Sequence, residues 1–244
     1  MITYFTLVNP YNSLFNEIGE TIKTHYPIGI PKDDPNYNEY PGIKKIDAVI
    51  EKNVTDNKRF NEPWKAFLKK LKSTAKKRVY NCSYPNELAF SGELILERFQ
   101  DAALSRTKKI IFSVSLIGSY YTIYGVDETG IKDIWYDRPV EYKAINVITE
   151  SPYREFEEKF NYLQFEIEAQ FPDYKFVPVR ICLSYVQGLQ VPWSNQNECR
   201  VHNALFNHFF DNYDVRYFRG EQYYGSGINK IKVELRPPPE LDSK

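Results

Sequence analysis

The sequence predicts an α+β fold: a mainly antiparallel sheet with flanking helices, in a single compact domain over 1–244. Three observations predict it. Apolar residues recur at helical spacing in two places, at Trp64, Phe67, Leu68 and Leu71 and again at Phe156, Phe160, Leu163 and Ile167. Between them lies a run of β-branched and aromatic segments separated by short turns. No repeat and no shift in composition divides the 244 residues. A chain of this length is an ordinary single domain and buries enough surface to need no covalent staples.

Residues 2–8 read as a first strand. Residues 9–42 are punctuated by five prolines, although Leu14, Ile18 and Ile22 support a short helix. The stretch 31–41 is polar, aromatic and turn-forming, which predicts an exposed loop. A helix is predicted over 62–74, with Asn61 as its cap and Pro63 in the first turn, where a missing N–H costs nothing. Strands are expected at 78–84, 88–99, 109–117 and 120–126, with Gly118-Ser119 as a hairpin turn. Residues 127–130 read as a further turn, followed by strands at 131–136 and 146–149. A second helix is predicted over 152–170, capped by Ser151 and ended by Pro172. Residues 176–186 look extended, and Val201, Ala204, Leu205 and Phe209 predict a third helix over 198–210. Lys230 to Leu235 alternate cleanly, as a half-buried strand does.

Composition narrows the function classes. Lys plus Arg and Asp plus Glu both total 32, so the formal net charge is zero, which counts against a dedicated nucleic-acid binder. The odd set Cys82, Cys182 and Cys199 carries no framework spacing, which favours free thiols and a reducing, cytoplasmic setting. The first residues show no basic leader, and no apolar run approaches the roughly 20 residues of a membrane span. Tyr, Phe and Trp make up 16% of the chain, enough for an aromatic core and also for a Tyr-rich contact surface.

Chemistry-bearing motifs are absent. There is no nucleophile elbow, phosphate loop, dinucleotide fingerprint or metalloprotease helix, and Gly225-Ser226-Gly227 reads as a hairpin turn. Cys199 and His202 stand three apart and would share a helix face. That could form half a zinc site or a thiolate pair, but no second pair of ligands accompanies them. No metal and no cofactor is expected. The glutamates at 155–168 fit a solvated helix face better than a glycosidase pair. The run 65–78 holds seven positive charges and no negative one. It could sit on phosphates, or it could be a solvated face paired with the acidic helix.

Two stretches resemble pieces of bacterial immunity proteins from polymorphic-toxin systems. One is Phe112-Ser113-Val114-Ser115-Leu116-Ile117-Gly118-Ser119-Tyr120-Tyr121-Thr122-Ile123-Tyr124. The other is Val201-His202-Asn203-Ala204-Leu205-Phe206 followed by Tyr217-Phe218-Arg219-Gly220-Glu221-Gln222-Tyr223-Tyr224-Gly225. The resemblance covers about 28 of 244 residues and concerns a hairpin, a helix and a turn. It implies a non-enzymatic protein whose partner is a cognate toxin, and it carries over no catalytic residue. Contact residues for such a partner are then sought in polar segments that hold large aromatics: Asp33, Asp34, Tyr37 and Tyr40, and Trp193. A buried Tyr or Trp anchor contributes about 2 kcal/mol or more at an interface. The competing account is that these aromatics fold back onto the protein's own core. Two other classes stay open: a nucleic-acid-associated protein using the basic face 65–78, and an enzyme whose site is assembled from scattered residues.

Overall fold

The computed structural model describes residues 12–56, 61–135, 137–149, 152, 154–211 and 218–219. Its centre is an antiparallel meander of β1 (Arg78–Asn81), β2 (Ala89–Gln100), β3 (Leu104–Ser115), β4 (Tyr120–Trp135) and β5 (Arg138–Thr149). Short parallel pairings add β6 (Lys175–Phe176) beside β4 and β7 (Phe218–Arg219) beside β5. Helices α1 (Asn12–His25), α2 (Pro35–Glu39), α3 (Pro41–Thr55) and α4 (Glu62–Thr74) precede the meander. After it come a 3-10 turn (Arg154–Phe156), α5 (Glu157–Gln170), α6 (Val179–Cys182) and α7 (Val201–Leu205). The fold is α+β, with the sheet between two helical layers.

Strand periodicity sends alternate residues to opposite faces, so each face builds its own core. On one face Phe90, Leu94, Ile110, Phe112 and Ile123 meet Trp64, Phe67 and Leu71 of α4 and Phe160, Leu163 and Ile167 of α5. Trp64 anchors this layer. It stacks on Phe90 at 5.6 Å, and its indole N–H donates to Asn81 Oδ1 at 3.0 Å. On the other face Ile111, Tyr120, Tyr124, Val126 and Ile148 meet α1, α3 and the segment 177–210. The two cores share one sheet.

Helix 62–74 stands where its stripe predicts it, although Asn61 makes no side-chain cap bond. The expected turn at 127–130 is instead the middle of β4, because those residues pair with β3 on one side and β5 on the other. Ladder bonds on both edges outweigh local turn propensity. The strand at 146–149 is the end of the longer β5. Residues 176–186 are extended at their start and at an isolated antiparallel bridge from Tyr185 to Arg200; between them Pro178 heads the helical turn α6, which buries Val179 and Cys182. The third helix is cut to Val201–Leu205. Beyond it Phe206 and Phe210 pack on His202, and Phe209 and Phe210 pack on Tyr124. The strands expected at 2–8 and 230–235, the Ser151 cap and most of 217–225 lie outside the described residues.

The stretch 31–41 is the largest correction. It holds α2, whose Asp34 cap accepts from the Asn36 backbone N–H at 2.8 Å, and it leads directly into α3. Pro35 and Pro41 stand in first turns, where proline starts a helix rather than breaking one. Helix α3 lays Ile43 and Ile46 on the same core that α1 covers with Ile18 and Ile22.

Candidate functional site

The five residues expected to contact a partner are placed mostly inward. Tyr37 is only 1% exposed, and its hydroxyl donates to Gln190 O at 2.7 Å. Tyr40 is half-buried and donates to Lys23 O at 2.6 Å. The Trp193 indole N–H donates to Asn203 O at 3.1 Å, and its ring meets Tyr26 edge-on. Asp34 caps α2, and only Asp33 is fully exposed. Tyr37 belongs to the core that holds Tyr26 and Cys199, and Tyr40 and Trp193 pack against that core while half-buried. Each finds a backbone carbonyl for its polar tip, the ordinary way to bury a Tyr or Trp.

The cysteines and histidines give no activated nucleophile. Burial pushes the Cys182 thiol up to about 12 and the Cys82 thiol up to about 11, the latter with help from Glu93. Burial also raises Cys199, whose Sγ bonds Gln196 O rather than an imidazole. Thiols shifted upward stay protonated, the opposite of what nucleophilic catalysis needs. Burial holds His202 down at about 3, so it is neutral; its Nδ1 bonds Asn207 O at 2.9 Å. Among the described residues no group of three or more His, Cys, Asp or Glu side chains converges as a metal site. Nor, among them, is any helix long and apolar enough to cross a membrane. One carboxyl stands out. Burial lifts Glu87 to about 7, and His208 Nδ1 lies 4.0 Å from its Oε1.

The exposed end of the sheet carries the surface that sequence reasoning missed. At the level of Lys108 and Lys109 two things change together. Register shifts interrupt β2 at Ile95/Glu97 and the β4–β5 ladder at Asp127/Glu128. A belt of ion pairs crosses the strands: Lys108 with Glu97 and Glu155, Lys109 with Glu93 and Glu128, and Arg106 with Asp127. Burial pushes the Asp127 carboxyl up, but bonds from Arg106 and Asn146 more than offset that and hold it below the usual range. Bulges sharpen strand twist, and beyond this belt the helices no longer cover the sheet.

The apolar pattern nevertheless continues. Leu104, Ile131 and Tyr142 are aligned directly across β3, β4 and β5. Phe99 on β2 faces Arg106, one step along the same face. Ile131 is 58% exposed, Tyr142 55% and Phe99 54%. On the opposite face Ile134, 73% exposed, lies across from Pro139. A cleft of about 440 Å³ is lined by Phe99 and Leu104 together with Glu97, Arg98, Arg106 and Lys108. Fully burying one such side chain is worth about 1.5–3 kcal/mol, and contiguous bare apolar surface with a charged rim is the mark of a contact face. The available signal was apolar spacing running through 99–142, but nothing local says where the helices stop.

No family model, curated protein or solved structure matches the chain.

Proposed function

We propose that the protein is a non-enzymatic binder of another protein, and within that class an immunity protein that occupies a cognate toxin. The carrying observation is the bare apolar row Phe99, Leu104, Ile131 and Tyr142 on a sheet whose other end is fully covered. Interfaces need a desolvated apolar centre inside a polar rim. The row supplies the centre, and Arg106 and Lys108, on the same face of the sheet, supply charged rim. The resemblance of 112–124 and 201–206 to immunity proteins gives the reading its narrower form. The contact role first given to Tyr37 passes to this row, because a Tyr only 1% exposed has no surface to offer.

The test places a photo-crosslinking residue at 131 or 142 in the native host and identifies what it captures. The captured protein is then purified and titrated against the wild type and against Ile131→Ser/Tyr142→Ser. The expected loss is about tenfold or more per anchor, together with loss of protection when toxin and protein are co-expressed. Unchanged affinity and unchanged protection in a folded double variant would remove the reading.

A further inference from the structure

A second concavity lies beside the apolar row. It has a volume of about 730 Å³ and is lined by five cations, Lys72, Lys76, Lys77, Arg78 and Arg98, with no carboxylate in its wall. Its floor is the side of β2 left open where β1 stops, since Arg78 pairs with Ile95 and no strand among the described residues continues along 96–100. Lys77 Nζ reaches into it and donates to Leu96 O at 2.8 Å. The concentration of charge is local. Neighbouring lysines are neutralised, Lys70 by Glu166 and Lys108 by Glu97 and Glu155. Among the described residues the five groove cations make no ion pair.

Lys76 follows the C-cap of α4 with φ of 51°, in the left-handed region. Glycine is the residue that takes this position without strain, and a side chain there costs about 1 kcal/mol. The negative end of α4 accounts for Lys72, and one or two charges suffice to guard an open strand edge. Neither effect accounts for five cations lining one groove whose wall holds no carboxylate.

We infer that this groove receives an acidic segment of the protein partner, an inference that rests on the protein-binding reading above. Arg98 lines both the groove and the cleft that Phe99 lines, so the two surfaces are continuous. A partner seated on the apolar row therefore lies against the cations. Charge complementarity requires it to be acidic there. A long phosphate chain fits less well, because α5 beside α4 presents Glu157, Glu158 and Glu168 on exposed positions. A nucleic acid leaving the groove in that direction meets like charge along its whole length, whereas a protein segment can be acidic over the groove alone.

The experiment titrates full-length protein with labelled hexaglutamate, with hexaglutamine and with twelve-residue oligothymidylate. Hexaglutamate should bind, weaken with added salt, and weaken about tenfold in Lys76→Gly/Arg98→Gln. Lys76→Gly alone should bind more weakly while raising the Tm, which a merely structural lysine would not do. Equal binding of hexaglutamine, or no effect of the substitutions, overturns the inference. Oligothymidylate binding tighter than hexaglutamate through the same residues also overturns it, in favour of a nucleic-acid site. Ile131→Ser/Tyr142→Ser separates the two readings. If hexaglutamate fails while this variant loses the partner, only the groove assignment falls. If hexaglutamate binds but the variant keeps the partner, the protein-binding reading falls and the groove stands as an anion site.

Discussion

Replacing Glu87 by Gln should make stability depend on pH in a way the wild type conceals. Glu87 has a side chain only 11% exposed, and its Oε2 has no hydrogen-bond partner among the described residues. Burial sets its folded pKa at about 7 against an ordinary 4.5. The folded state thus holds the proton more tightly than the unfolded chain. Its contribution is fully present below pH 4.5 and is lost as the pH climbs through 7. At about 1.4 kcal/mol per tenfold in proton affinity, the ionised carboxylate costs up to about 3 kcal/mol above pH 7. His202 has the opposite sign. Its pKa falls from 6.5 to about 3, so its contribution is present above pH 6.5 and is lost as the pH falls toward 3. Between 4.5 and 6.5 the two slopes cancel. Glu87→Gln keeps the shape and removes the charge. Urea denaturation should therefore find the variant more stable than the wild type by up to about 3 kcal/mol at pH 8 and no different at pH 4. Between pH 6.5 and 4.5 the variant alone should lose stability, exposing His202. An equal difference at both pH values would show that packing, not ionisation, sets the effect, and the burial argument for Glu87 would be refuted.

Two further outcomes follow from packing. Gly92→Ala should lower stability by about 1–3 kcal/mol in thermal denaturation, since a Cβ there would stand 2.5 Å from the ring of Phe112, itself held between Trp64 and Phe67. Tyr37→Ala should cost about 3–5 kcal/mol while Ile134→Ser stays within about 0.5 kcal/mol, because the first is buried under Gln190 and the second is 73% exposed; reversed magnitudes in urea denaturation would mean that the two surfaces are wrongly assigned.

What the sequence discloses is the periodicity of an element, and what it withholds is what covers that element. Helix 62–74 was legible because four apolar residues on one stripe and a proline in the first turn agree. Helix α3 was not, because its opening Pro41 follows four other prolines and reads as a breaker when it is a helix start. Tyr37 was misplaced for a related reason. A polar segment suggests exposure, but a single buried tyrosine with a carbonyl for its hydroxyl is enough to pin that segment to the core. The sheet makes the point within one strand. Phe90 and Phe99 sit on the same face of β2, yet Phe90 lies under Trp64 and Phe99 is bare.

The basic run 65–78 shows how much of a site depends on distant partners. Seven charges in a row have no single fate. Lys70 is claimed by Glu166 from α5, as an acidic helix opposite a basic one would suggest. Lys72, Lys76, Lys77 and Arg78 turn instead to a groove whose fifth cation, Arg98, comes from the far side of a hairpin. Local spacing separates these groups no better than it separates Phe90 from Phe99. The division is made by where β1 stops, opposite Ile95, and by the register shift that follows it. Had β1 run on beside 96–100, the ladder would have closed that edge and left the cations on an ordinary wet surface. The site hypothesis therefore hangs on a strand end, and lengthening β1 by substitution at 76–77 is the structural change most able to abolish it.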